Sequence, residues 1–336
     1  MNVLPASTTQ RHLRAVAACM KNEGQFLLEW VAYYRSIGFD RVFLITNDCS
    51  DGTDDMADRL SELDDVIHIR NAFEPGSSAQ IAGMAAALAH PAMSDVEWLL
   101  HCDADEFLDV TCGDESVDAL ISTVGTPCDA IAICWRHAGS EGRTRWERGS
   151  VIATHRHFAR RPTPTLAMHK TLFRPDRFIS AIDHMPKGPK GRITLRNTAG
   201  ALMNPRSLKH PTRSRYRGQE PDAITWENAS LIHYATRSED LFVLKNVRGD
   251  GMGRSNPRYQ LGSPFWRRAN HCDEESVSMH RRLAAVRMRI AQFRQDDKLA
   301  ALDDAAWAWF KTMRDTHLTE PNLRAWRYAA PATETP

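Results

Sequence analysis

The sequence lacks an excess of charge of either sign. Its 43 lysines and arginines nearly balance its 42 aspartates and glutamates, for a formal net charge of +1. Proteins that bind nucleic acid through overall charge carry a clear basic excess, so we expect no nucleic-acid partner. The apolar stretches also fall short of the ~20 residues that a helix needs to cross a bilayer, so we expect no integral membrane segment.

The sequence also has no CxxC pair of cysteines, and we expect no secretory leader. The absence of such a pair among the seven cysteines argues against a zinc ribbon or a redox motif. Cys19, Cys102 and Cys134 lie in apolar runs, where a free thiol behaves as a small hydrophobic side chain. Residues 1–10 are polar and lack the apolar core of a signal peptide. This pattern is typical of a reducing compartment, and we expect a cytoplasmic protein.

Two fingerprints of nucleotide-binding folds are also absent from the first third of the chain. Neither G-x-G-x-x-G nor G-x-x-x-x-G-K-[ST] occurs there. Because these motifs wrap the backbone around phosphate groups, their absence argues against a dinucleotide-binding or P-loop interpretation.

The first third instead contains a regular alternation of strand and helix patterns. The apolar runs that read as strands are Leu13 to Met20, Arg41 to Thr46, Asp65 to Arg70 and Glu97 to Cys102. Helical spacing of apolar residues fills the intervals between them. This order predicts a doubly wound, mostly parallel central sheet that is flanked by helices.

The alternation stops after Val110, and helical spacing returns strongly in Glu274 to Gln295 and Ala301 to Thr316. We therefore predict an α/β fold with a C-terminal helical extension. The main domain would span residues 11–265, with a nucleotide-binding half at 11–110 and an acceptor half at 111–265. The extension would span residues 266–330.

Polar residues cluster where three of the predicted strands end. Asn22 and Glu23 follow the first strand, Asn47 and Asp48 follow the second, and the Asp103-Ala104-Asp105-Glu106 run follows the fourth. Ligands of such sheets bind at the carboxyl ends of the strands. Two carboxylates at positions i and i+2 can both face Mg²⁺ or Mn²⁺, which prefer oxygen ligands. The alternative for an arbitrary pair of this kind is a solvated loop or a helix cap.

The turn from Asn47 to Thr53 also has two interpretations. Asp51 or Ser50 can simply cap the following helix, with Gly52 in the turn. Asn47 and Asp48, at the end of the second strand, can instead hydrogen-bond a base or a ribose.

Several short segments, in this order, resemble the family-2-like glycosyltransferases, and in particular the branch related to family 92. The segments are AACMKNE at 17–23, LEW at 28–30, NDCSDGT at 47–53, DADEFL at 103–108, HKTLFRP at 169–175 and IHYATRS at 232–238. The resemblance extends from about Ala15 to Gly251. It implies a GT-A (Rossmann-like) fold, a nucleotide-sugar donor such as a UDP-sugar, a glycan or other hydroxyl acceptor, and Mn²⁺ or Mg²⁺. It also implies inversion at the anomeric carbon.

The resemblance also implies roles for individual residues. The residues expected at the nucleotide are Asn22, Glu23, Asn47, Asp48 and Asp51. Asp103 and Asp105 would hold the metal that bridges the diphosphate, and His233 would complete the metal or diphosphate site. The cations expected to neutralise diphosphate or acceptor charge are Lys170, Arg237, Lys245 and Arg248. Each of these cations, and His233, can alternatively be an ordinary surface or packed side chain.

Two carboxylates, Asp183 and Glu141, are candidates for the catalytic base. The family pattern usually has a serine where Glu141 stands, which weakens that choice.

Two other functions stay open: a metal-dependent phosphotransferase or phosphatase that uses Asp103 and Asp105, and a nucleotide-sugar-binding protein without turnover. The arginine-rich regions at 136–161 and 187–217 favour an anionic acceptor.

Overall fold

The computed structural model describes residues 12–74, 77–162, 167–249 and 258–328. Within these ranges the strands are β1 (Leu13–Met20), β2 (Arg41–Thr46), β3 (Val66–Arg70), β4 (Val96–His101), β5 (Glu106–Val110), β6 (Ala130–His137), β7 (His157–Phe158), β8 (His169–Phe173), β9 (Phe178–Ala181), β10 (Pro186–Pro189), β11 (Leu195–Asn197), β12 (Ala229–His233) and β13 (Glu274–Glu275).

The helices are α1 (Gly24–Ser36), α2 (Thr53–Leu63), α3 (Ala79–Ala89), α4 (Val117–Val124), α5 (Val151–Thr154), α6 (Arg206–Lys209), α7 (Glu239–Arg248), α8 (Pro264–Ala269), α9 (Leu283–Phe293), α10 (Asp297–His317) and α11 (Glu320–Ala325). Among the residues that the structure describes, no helix combines the length and apolar character that crossing a membrane requires.

The first four strands form a parallel sheet in the order β3-β2-β1-β4. Strand β2 is buried on both faces, as its continuous apolar run predicts for a central strand. Helix α1 covers one face of this sheet with a buried aromatic cluster that includes Trp30, Tyr33 and Tyr34. Gly38, with a φ of +95°, reverses the chain into β2 at the end of α1, where a side chain would be strained.

The sheet continues past β4 in the order β8-β6-β12-β5, with β11 paired to β6. Strand β8 is antiparallel to both β4 and β6, whereas β12 runs parallel to β6 and antiparallel to β5. The predicted class, an α/β fold with a mostly parallel central sheet between helices and with C-terminal helices, is confirmed. Strand β5 was not expected, because its partner β12 lies more than a hundred residues further along the chain.

The predicted helix from Glu274 to Gln295 is wrong in its first half. Glu274 and Glu275 form β13, which pairs with β7, and the backbone amide of Ser276 donates to the Arg156 carbonyl at 2.7 Å. A 3₁₀ turn at Ser278–Arg282 follows, and only then does α9 begin. The segment satisfies its backbone polar groups on a neighbouring loop, and periodicity alone does not reveal such pairing.

Helix α10 is the longest described helix, and it packs against α1, α2 and α7. Asp296 caps its start and pairs with Arg59 of α2. Near its end, the buried Arg314 donates to the Trp146 carbonyl at 2.8 Å and lies 3.5 Å from the carboxylate of Asp240 in α7. Helix α10 is therefore joined both to α1 and α2, which flank the first strands, and to α7, the helix that follows β12.

Candidate functional site

A cavity of about 700 Å³ lies at the carboxyl ends of β1, β2, β4, β6 and β12. This is the edge at which open α/β sheets bind ligands. The sequence-predicted residues that line it are Glu23, Asn47, Asp48, Asp103, Asp105, Asp183, His233, Lys245 and Arg248. The fold thus brings together most of the side chains that the sequence indicated, although they come from distant parts of the chain.

The Asp103-to-Glu106 run forms a tight turn between β4 and β5. The buried Glu106 carboxylate accepts a 2.8 Å hydrogen bond from the backbone amide of Asp103. The indole of Trp30 donates to the Asp103 carbonyl at 3.2 Å, and the Tyr34 hydroxyl donates to the Glu106 carbonyl at 3.0 Å. The backbone amide of Tyr234 donates to the Asp105 carbonyl at 2.8 Å. Helix α1 and the end of β12 therefore fix the backbone that presents the two aspartates.

Asp103 lies against a buried lysine. The Lys170 ammonium is 3.3 Å from Asp103 Oδ2 and 3.6 Å from Glu106 Oε2, and its side chain has no exposed surface. Burial favours the neutral form of Asp103, but the Lys170 charge, together with the nearby His101 and His184, outweighs it and lowers the pKa of Asp103 below its usual value. For Glu106 burial prevails and raises its pKa well above the usual value. Gln80 also donates to Asp103, at 3.1 Å.

Asp105 is surrounded by three basic side chains. Lys245 donates to its Oδ2 at 2.8 Å, His233 Nε2 lies 3.5 Å from its Oδ1, and Arg237 lies 4.0 Å away. Burial opposes the charged carboxylate, but Lys245 and then His233 override it, so the pKa of Asp105 lies well below its usual value. Burial lowers the pKa of Lys245, and the Asp105 charge only partly offsets that.

The structure separates the residues predicted to bind the nucleotide into three groups. Asn47 and Asp48 follow β2 and line the cavity, and the Lys21 ammonium lies 3.7 Å from Asp48. Asn22 instead accepts from the Ser50 amide at 2.8 Å and lines an adjoining cavity of about 410 Å³. The carboxylate of Asp51 is not at either cavity.

The Asp51 carboxylate is used by backbone and hydroxyl donors of the protein itself. It accepts from the Gly24 amide at 2.8 Å and from the Thr53 amide at 2.9 Å. These bonds tie the start of α1 to the start of α2. The structure therefore gives Asp51 a bracing position beside the site, although the N-cap residue of α2 is Gly52.

Two of the predicted cations lie behind the cavity wall. Lys170 does not line the cavity, but it supports it through Asp103 and a 2.6 Å bond to the Asp183 carbonyl. Arg237 lines the adjoining cavity, stacks 3.9 Å from the centre of the Phe26 ring and lies 3.8 Å from the Glu23 carboxylate. Arg248 forms a closer pair with Glu23.

The two base candidates occupy different environments. Asp183 lines the cavity, and its carboxylate lies 3.4 Å from Nε2 of His184, whose pKa burial lowers to about 3. Glu141 lies outside the cavity and accepts from the amides of Arg156 and His157 at 2.6 and 2.8 Å. These amides outweigh its burial and lower the pKa of Glu141.

Some lining residues were missed by the sequence reasoning. They include Gln80, Trp135, His137, His184, Arg258, Tyr259 and Arg268. Trp135 stands opposite Leu231 in the parallel pair of β6 and β12, and its ring centre lies 4.2 Å from that of His233. Applying the strand-end rule to β6 would have identified Trp135 and His137. No pattern marks Gln80, which lies in the first turn of α3.

The chemistry of the acidic pair fits a divalent cation. Two carboxylates and the His233 imidazole are a ligand set that suits Mn²⁺, and Asp105 already lies beside that imidazole. In the described part of the chain, no group of three or more histidine, cysteine, aspartate or glutamate side chains is preassembled around one point. Lys245 and Lys170 provide the positive charge beside the carboxylates in this structure.

Solved structures with some similarity share little sequence with this chain. The first 349 residues of S. aureus TarS, in complex with UDP, match at 14% identity over 48% of this chain and 47% of that one, with a TM-score of 0.31. The mannosyltransferase PcManGT from Pyrobaculum calidifontis, in complex with GDP-Man and Mn²⁺, matches at 13% identity over 94% and 86%, with a TM-score of 0.37. Similarity at this level is too low to assign a function.

Sequence relatives are more informative. A family 92 glycosyltransferase of Ricinus communis is 33% identical over 109 residues, which are 32% of this chain and 19% of the relative. One of Oryza sativa subsp. japonica is 27% identical over 173 residues, 49% of this chain and 27% of the relative. The aligned parts thus span under a third of those proteins. The family model described as Glycosyltransferase family 92 matches residues 14–248, well over half of the sequence. The chain belongs to glycosyltransferase family 92.

Proposed function

We propose that this chain is an inverting GT-A glycosyltransferase, dependent on Mn²⁺ or Mg²⁺, that moves a sugar from a UDP-sugar to a hydroxyl of a glycan. The observation that carries the proposal is the meeting of Asp103 and Asp105 with Lys245 and Arg248 in one cavity at the strand ends. Paired carboxylates beside several cations suit a substrate that is itself a diphosphate.

The donor would lie across the ends of β1, β2 and β4. Asn47 and Asp48 offer an amide and a carboxylate for hydrogen bonds to the base and the ribose. Lys245, Arg248 and Arg258 line the same cavity and offer positive charge to the diphosphate. Because negative charge grows on the departing diphosphate, fixed cations at this position stabilise the transition state more than the ground state.

Asp103, Asp105 and His233 are the residues that would hold the cation. When bound, it supplies Lewis-acid neutralisation of the leaving diphosphate. The rigid turn between β4 and β5 keeps the two carboxylates at the cavity, since Trp30 and Tyr34 bond its backbone. Lys170 keeps Asp103 ionised and thus able to act as a ligand.

Asp183 is the proposed base. Its carboxylate would take the proton of the acceptor hydroxyl as that oxygen attacks the anomeric carbon, from the side opposite the leaving group. The bond from Lys170 to the Asp183 carbonyl fixes its backbone, and burial keeps the neighbouring His184 neutral. Attack from that side inverts the anomeric configuration.

The test is nucleotide release from a panel of UDP- and GDP-sugars with Mn²⁺, with and without glycan acceptors. We expect release from at least one donor, and its loss in Asp105→Asn. Asp176→Asn, which alters an exposed aspartate outside the cavity, is the matched control and keeps activity. No release from any donor, together with phosphate release from a phosphomonoester, would identify a phosphatase instead. Donor binding without release would identify a binding protein.

A further inference from the structure

A third cavity, here called the remote cavity, adjoins the main cavity on its β6 side. It measures about 650 Å³, and Trp135 and His137 line both it and the main cavity. Arg160, Arg161, Trp226 and His271 also line the remote cavity. The two cavities therefore share a wall that is formed by Trp135 and His137.

The shared wall holds polar ring atoms that have no partner. Among the described residues, the buried Trp135 Nε1, His137 Nδ1 and His233 Nδ1 make no hydrogen bond. The rings are close together, since the centres of Trp135 and His233 lie 4.2 Å apart and those of His137 and His233 lie 5.5 Å apart. Buried polar atoms without partners are rare, and several in one place indicate a ligand or ordered water.

Two tryptophan rings, Trp135 and Trp226, line the remote cavity beside these atoms. Trp226 donates through its Nε1 to the Trp135 carbonyl at 3.0 Å, which fixes one tryptophan beside the other. The guanidinium of Arg136 lies 5.1 Å from the Trp226 ring centre and holds that ring further. Both tryptophans are only half-buried. Rigid half-exposed rings with nearby hydrogen-bonding groups suit sugar rings, which combine apolar C–H faces with hydroxyl edges.

Two exposed arginines stand at the far end of the remote cavity. Arg160 donates to the Asp273 carbonyl at 3.0 Å, and neither Arg160 nor Arg161 has a carboxylate within ion-pair distance in the described ranges. The one acidic side chain in the lining, Asp273, lies 3.2 Å from His271. The guanidinium groups are therefore available to an anionic group, which they can bind by paired hydrogen bonds.

We propose that the remote cavity binds the acceptor, and that the acceptor is an acidic oligosaccharide of at least two sugar rings. The ring with the attacking hydroxyl lies beside Asp183, the next ring lies against Trp135 and Trp226, and its acidic group binds Arg160 and Arg161. His184 lies between these positions, since its Nε2 is 3.4 Å from the Asp183 carboxylate and its ring centre is 5.2 Å from that of Trp135. The acceptor role rests on the proposed function, because it requires the transfer reaction. Binding of the glycan to the remote cavity can be measured without that reaction.

The test is calorimetry of the full chain with four probes. These are a tetramer of galacturonic acid, a sulfated tetrasaccharide, a phosphorylated tetrasaccharide and the neutral galactose tetramer, with galacturonic acid itself as the short counterpart. We expect at least one acidic tetrasaccharide to bind ten-fold or more tightly than both the neutral chain and the monosaccharide. Which acidic chain binds separates carboxylate, sulfate and phosphate groups.

Variants locate the binding surface. Arg161→Gln should weaken binding of that acidic chain about ten-fold, and Arg145→Gln, which changes an exposed arginine paired with Glu147, is the matched control. Trp226→Leu should weaken binding similarly, with part of the loss recovered in Trp226→Phe because the ring face returns. Thermal unfolding of each variant checks that it folds.

The proposal is overturned if no acidic chain binds, if the neutral chain binds as well, or if Arg161→Gln binds like the wild type. Donor cleavage to free sugar and UDP separates this failure from failure of the proposed function. A chain that cleaves a donor but binds no acidic glycan refutes only the acceptor assignment. A chain that binds the acidic glycan but cleaves no donor refutes the transferase and leaves the glycan-binding surface.

Discussion

Lys245 donates a 2.8 Å hydrogen bond to Asp105, so one carboxylate of the acidic pair has a buried ammonium as its partner. Removing one member of a buried ion pair leaves an uncompensated charge, whereas removing both leaves none. The pair therefore bears on stability as well as on the proposed chemistry, and the two effects can be measured apart.

We expect Lys245→Met to lower the free energy of unfolding by about 3 kcal/mol, because the largely buried Asp105 would lose its closest cation and keep the more distant His233 and Arg237. Adding Asp105→Asn to that variant should restore part of the stability but no UDP binding. Urea unfolding of both variants measures the first effect and calorimetry the second. A double variant less stable than Lys245→Met would show that the pair is not coupled in this way.

Metal dependence is tested by binding rather than by turnover. Asp105→Asn should abolish the Mn²⁺-dependent part of UDP affinity and leave the fold intact, because one of two proposed carboxylate ligands is lost. Calorimetry of UDP with Mn²⁺, and again with a chelator, gives the comparison. Unchanged UDP–Mn²⁺ affinity in the variant would rule out the assignment of Asp105 as a ligand.

The two base candidates should separate clearly. Asp183→Asn is expected to lower kcat by roughly 10²–10⁴-fold with little change in donor KM, since it removes the proton acceptor but no donor contact. Glu141→Gln should change kcat less than a few-fold and lower the melting temperature, because it weakens the bonds to the Arg156 and His157 amides. The opposite ranking of the two kcat values would make Glu141 the base.

The buried His169 should make the protein sensitive to acid. Burial lowers the pKa of its imidazole to about 4 in the folded chain, against about 6.5 when unfolded. Between these values only the unfolded chain binds the proton, so stability falls as pH drops from 6.5 to 4. His169→Phe keeps a ring against Tyr216, whose centre lies 5.5 Å away, and should reduce the slope by up to about 1.4 kcal/mol per pH unit. Urea unfolding at three pH values measures this, and an unchanged slope would contradict it.

The sequence predicted the strands of the first third of the chain to within about a residue, up to β4. Strands β1 and β2 begin and end where their apolar runs do, because each is buried along its length and its helical crossover is local. Strand β5 could not be recognised, since its pairing with β12 joins residues such as Leu108 and Leu231 that are far apart in the chain. Local pattern carries no information on such pairing.

For the site, position at a strand end was more informative than residue type. Asp103, Asp105 and His233 line one cavity, because strand ends converge at one edge of the sheet. Asp51 and Glu141 carry the same carboxylate group but use it on backbone amides, and no sequence pattern reveals which carboxylates the backbone will occupy. Lys170 was predicted as a cation, but its complete burial was not.

Helix α10 lies outside the family-matched residues 14–248, yet Arg314 binds Asp240 at the start of α7, the helix that carries Lys245 and Arg248. Any fragment or chimera cut at the edge of the matched region would leave Asp240 without that guanidinium and expose the side of α7 that α10 covers. The boundary for protein engineering is therefore set by α10 and not by the family-matched region. Expressed fragments need residues 297–317 to keep α7, with Lys245 and Arg248, in place.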